Sequence, residues 1–153
     1  MSIRATTTVA SAALIALVAV GSAFAADPIE TRKKTMKAIG GSFGGVLVKM
    51  VKGEVPYDAA AAKAAATTLS QTAAGIDIAT LFPAGSDKGG DTEALPKIWS
   101  DAAGFKAAMD AMKAATAAQV ANSDQGVDKL KVAVAEIGKT CKSCHDGYRA
   151  QKP

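Results

Sequence analysis

"SDQGVDKLKVAVAEIGKTCKSCHDGYR", residues 123–149, decides how this chain folds. Val127, Leu130, Val134, Ile137, Cys141, His145 and Tyr148 recur in steps of three and four. That period places all seven on one face of an α-helix. Ser123 stands where the N-cap of such a helix is expected. Apolar–polar alternation of strand length occurs nowhere in the 153 residues, so the chain reads as all-α.

Working back from this helix, three more appear. Residues 98 to 121 carry Ile98, Phe105, Met109, Met112 and Val120 on an inward face. "DAAAAKAAATTLSQTAAG", 58–75, is a helix of the best helix former, with Asp58 as its N-cap. Residues 28–53 carry the stripe Ile29, Met36, Ile39, Phe43, Leu47 and Met50, closed by Gly53 and Pro56. Pro83, Gly85, Gly89, Gly90 and Pro96 mark 80–98 as a loop long enough to have a role of its own. Four helices with mostly short connections predict an antiparallel four-helix bundle. Gly40, Gly41, Gly44 and Gly45 lie inside the first helix, each costing roughly 1 kcal/mol against alanine. They predict either a kink or the close approach of a partner helix.

Residues 1–25 stand outside the bundle. Arg4 is followed by the apolar run "VASAALIALVAVGSAFA" and a small-residue cleavage pattern. This is the order of a secretory signal peptide, and the run is short for a membrane span. The expected mature domain is 26–153, exported and without a membrane segment of its own. Of 18 Lys and Arg only Arg4 is lost, leaving 18 − 1 = 17 against 14 acidic residues. Lys33, Lys34 and Lys37 are the only basic cluster, too small and too poor in aromatics for nucleic-acid binding. Aromatic residues make up 5% of the chain. Slim, alanine-rich helices must pack very closely, or something else must fill the middle.

The last helix holds that something's anchors. Both cysteines of the chain, Cys141 and Cys144, and its one histidine, His145, fall within "CKSCH". Two thiols one turn apart can bond the two vinyl groups on one edge of a porphyrin, and the adjacent imidazole can bind its iron. C-x-x-C-H is the attachment pattern of c-type haem. A thioredoxin-like site would expect a βαβ setting. A structural zinc site would want four ligands. An exported chain could also form a disulfide. Export, helical context and the lack of other Cys or His favour one covalently attached haem c with its iron.

With these residues in place, the chain resembles the class II cytochromes c, meaning cytochrome c′ and its low-spin relatives of the c-556 type. The likeness covers essentially the whole mature chain. "CKSCHDGYR" is similar to the family's terminal motif, with Tyr148 and Arg149 after the ligand. "VKGEVPYDAA", "GGDTEALPKIWSDAAGFK" and "ETRKKTMKAIGGSFGG" resemble its first turn, its loop into the third helix and its first helix. Gly147 departs from the pattern, since a helix former is expected there. The resemblance implies a periplasmic four-helix bundle with one haem near the C-terminus. It implies a homodimer as in relatives, Arg32 and Arg149 near the haem, and Met36 at the distal position.

Bundle geometry agrees on Met36. The first and last helices should run antiparallel, which puts Met36 and His145 at similar heights. Met50 lies roughly 21 Å further along, and Met109 is the outside candidate. His145 and Met36 as iron ligands imply an electron carrier serving periplasmic redox proteins, with no catalytic group. The alternative is a five-coordinate cytochrome c′ that binds small gases such as nitric oxide or carbon monoxide. A non-haem exported bundle is the third reading.

Overall fold

The computed structural model describes residues 27–151. The expected signal peptide lies outside them. Among the described residues six α-helices follow one another, and four long ones form an antiparallel bundle. We number them α1 to α6. Helix α1 runs through Pro28–Ser42, a π-helical stretch Phe43–Val48 and a final turn Lys49–Val51. Helix α2 is Ala59–Ala74, α3 is Ile78–Leu81, α4 is Lys97–Ser100, α5 is Ala102–Gln119 and α6 is Val127–Tyr148.

Local chemistry sets most of the ends. Asp27 caps α1, accepting the Ile29 amide at 2.8 Å, with Pro28 in the first turn. Asp58 caps α2 through the Ala61 amide at 2.7 Å. Gly53 takes φ +71°, the left-handed value that ends a helix without strain.

Two expected boundaries are corrected. The third long helix does not run unbroken from 98. A single turn, α4, stops at Asp101, whose backbone leaves the helical region and whose side chain caps α5. Ser123 does not cap the last helix. It is fully buried and closes a 3-10 turn by donating its hydroxyl to the Val120 carbonyl at 2.6 Å. The last helix begins after Gly126, whose φ of +100° suits glycine alone.

Of the glycines of α1, Gly44 and Gly45 lie within the π-helical stretch and Gly40 and Gly41 just before it. Gly40, Gly41, Gly44 and Gly45 are exposed. A Cβ added at any of them meets nothing within 4 Å. No neighbour among the described residues therefore requires them.

The core is built from Leu47, Leu69, Met109, Leu130 and Ile137, with Ala62, Ala66 and Ala73 letting α2 lie close against its neighbours. Helix α1 meets α6 through Phe43–Val48 and Lys49–Val51. Its Pro28–Ser42 segment packs instead on α2 and α3. The first and last helices thus separate toward the end that carries His145.

Candidate functional site

A cavity of about 520 Å³ lies where those helices part. Its walls come from α1, α4, α5, α6 and the long loop, with no residue of α2. Ile39, Phe43, Phe82, Ile98, Phe105 and Met109 make much of it apolar. All six site residues expected from the sequence line it: Arg32, Met36, Cys141, Cys144, His145 and Arg149.

Cys141 and Cys144 are free thiols. Burial pushes both above the usual 9.0, with the neighbouring thiol adding to the rise at Cys144. Burial, aided by the Arg149 charge, lowers His145 below 6.5. Its imidazole is therefore neutral at pH 7, with a ring nitrogen lone pair free for a metal. Met36 is half-buried on α1; Met109, fully buried on α5, and Met112 also reach the cavity.

Arg32 is 5% exposed. Its guanidinium donates to the Ser86 hydroxyl at 2.9 Å, the Ser86 carbonyl at 2.5 Å, the Leu81 carbonyl at 3.4 Å and the Thr92 hydroxyl. It also lies 5.3 Å from the Phe82 ring centre. The long loop is thereby pinned to α1. Its far end is pinned to α6: the Leu95 amide donates to the Tyr148 carbonyl at 3.0 Å, and the Ala150 amide to the Glu93 carbonyl at 2.8 Å. Arg149 pairs with Glu93 at 2.5 Å. Lys33 reaches Asp91 at 3.4 Å.

Ser86, Thr92 and Glu93 were not legible as site-forming residues. Their partners lie more than 50 positions away in sequence, and a polar loop residue carries no periodicity to betray such a contact. Tyr148 and Asp101 form a further distant pair, 47 positions apart: the phenol donates to the Asp101 carboxylate at 2.8 Å.

The donor set suits a haem. A flat macrocycle needs an apolar slot, its vinyl groups need two thiols on one edge, and its carboxylates need a basic rim such as Arg32, Lys33, Lys37 and Arg149. The family profile described as Cytochrome C′ matches residues 27–149. The chain belongs to the cytochrome c′ family. It is 40% identical to cytochrome c-556 of Agrobacterium fabrum over 95% of this chain and 96% of that one. The solved cytochrome c prime of Shewanella frigidimarina superposes with a TM-score of 0.75 at 39% identity, over 82% of this chain and 96% of the other. A nitric oxide complex of a mutant cytochrome c prime from Alcaligenes xylosoxidans gives 0.71 at 36%, over 82% and 95%. The chain is accordingly a c-type cytochrome carrying one covalent haem c.

Proposed function

We propose that this cytochrome is a periplasmic electron carrier whose haem iron is held by His145 and Met36. The observation that carries this reading is that Met36, from α1, and His145, from α6, line the same cavity where those helices part. The haem, when bound, supplies the one-electron chemistry. Cys141 and Cys144 hold it to α6, so that it is not lost in either oxidation state. With the haem bound, the apolar walls would limit water at the metal, and the Met36 thioether together with the His145 imidazole would favour its reduced state. Export rests on the leader expected at residues 1–25. Among the described residues, no helix is long and apolar enough to cross a membrane. Redox proteins of the periplasm are the proposed partners, and a second copy of the chain the proposed dimer mate.

The comparisons weigh toward a second reading, a five-coordinate haem that binds small gases. The family is described as Cytochrome C′, and a solved relative is a nitric oxide complex. The two readings differ at one bond. A low-spin, six-coordinate ferric spectrum that responds sluggishly to carbon monoxide supports the carrier. A high-spin, five-coordinate spectrum with prompt carbon monoxide binding replaces it with the gas binder.

A further inference from the structure

We infer that Tyr148 is a positioning residue for His145, acting through Asp101 at the start of α5. The inference rests on His145 as the iron ligand. Tyr148 lies one turn beyond His145 on α6, at the helix end where carbonyls lack intrahelical partners and turns fray. Here the turn is tied down. The Tyr148 hydroxyl donates to Asp101 Oδ2 at 2.8 Å, and its carbonyl accepts the Leu95 amide at 3.0 Å. The same Asp101 carboxylate accepts the Gly104 amide at 3.2 Å as the cap of α5. One side chain therefore fixes the beginning of α5 and the end of α6 together.

Gly104 is an independent sign that this contact shapes the local backbone. A Cβ there would lie 2.5 Å from Tyr148 Oη and 2.6 Å from Asp101 Oδ2, too close for real atoms. The Phe105 ring meets the Tyr148 ring edge-on at 5.2 Å and packs against the phenol. An imidazole carried on an anchored turn keeps one orientation, and the orientation of a metal-bound histidine tunes the metal.

The test compares the haem-loaded protein with its Tyr148→Phe and Gly104→Ala variants. Mass confirms the covalent haem in each. The readouts are the midpoint potential, the paramagnetically shifted proton resonances of the His145 imidazole, and the melting temperature. Loosening the turn weakens imidazole donation to ferric iron. Both variants should therefore show a raised potential and imidazole resonances moved in the same direction. A Tyr148→Phe protein with unchanged potential and resonances overturns the inference, even if its melting temperature falls. A parent protein showing no shifted imidazole resonances overturns the ligand reading itself, and the inference with it.

Discussion

Arg32 and Ser86 are joined twice, through the serine hydroxyl at 2.9 Å and its carbonyl at 2.5 Å, across 54 positions of sequence. The contact makes Arg32 a pin for the loop as well as a lining residue of the cavity. Ser86, only 7% exposed, would be left with an unmet carbonyl if the arginine were removed. Arg32→Gln is expected to lower stability by about 2 kcal/mol, since hydrogen bonds from a charged donor contribute roughly 1.5–3 kcal/mol. Hydrogen exchange should rise across 82–96 while the haem stays attached. If melting and exchange match the parent and only the redox potential moves, Arg32 serves the haem carboxylates alone.

The bundle was legible because its signals are local. The stripe of α6, the alanine run of α2 and the caps at Asp58 and Gly53 each follow from neighbouring residues. So did the grouping of Cys141, Cys144 and His145, which sequence proximity alone brings together. Ser123 misled because it has the chemistry of a cap but spends its hydroxyl on the preceding carbonyl. The cap at Asp101 is hidden in the sequence because the apolar pattern continues across it, although its spacing to Gly104 is that of a cap. The π-helical stretch 43–48 has no side-chain signature beyond the glycines within it and just before it.

The two thiols should be separable. Cys141→Ser or Cys144→Ser alone leaves one thioether, so acid–acetone should still fail to extract the haem, and the absorption band of the reduced form should move. The double variant should surrender its haem to the same treatment. A protein whose haem is extracted freely before any substitution contradicts covalent attachment at these residues.

The Tyr148–Asp101 pair should leave a mark on stability at both ends of the pH scale. The phenol's hydrogen bond, followed by the Gly104 amide, holds the Asp101 carboxyl below its ordinary 3.8. The unfolded chain takes up that proton first. The stabilisation is therefore complete above pH 3.8 and is lost as pH falls through the lowered folded value. The same bond raises the Tyr148 phenol above 10.0. Here the stabilisation is complete below pH 10.0 and is lost as pH rises through the raised folded value. Melting curves of the parent and Tyr148→Phe should differ most between these limits and converge outside them. A difference that is constant across the whole range would mean that the pair does not titrate with folding.

Met36→Ala tests the distal ligand. If the thioether binds iron, its loss should turn a low-spin protein into a high-spin one that takes up carbon monoxide readily. Its potential should fall, because a soft sulfur no longer favours the ferrous state. The bundle should survive, since Met36 is half-buried and the thioethers at Cys141 and Cys144 remain. A low-spin spectrum that persists in the variant directs attention to Met109, which is 1% exposed and lines the same cavity from α5.

The glycines of α1 separate a tolerated defect from a docking face. Gly40 and Gly41 are exposed, and an added Cβ meets nothing within 4 Å among the described residues. Within one molecule, alanine at both positions should therefore stabilise the helix by about 1–2 kcal/mol in total. That gain should raise the melting temperature at low protein concentration. Beside them a shallow recess runs between Gly41, Ser42 and Val46 of α1 and Ala61, Ala64, Ala65 and Thr68 of α2. Small residues on both walls would let another helix approach closely. If the proposed dimer forms here, the parent should sediment as a dimer, and Gly41→Leu should sediment as a monomer with its haem spectrum unchanged. A parent that sediments as a monomer at every concentration removes the dimer but leaves the predicted gain in helix stability intact. A Gly41→Leu protein that remains fully dimeric moves the interface to another face.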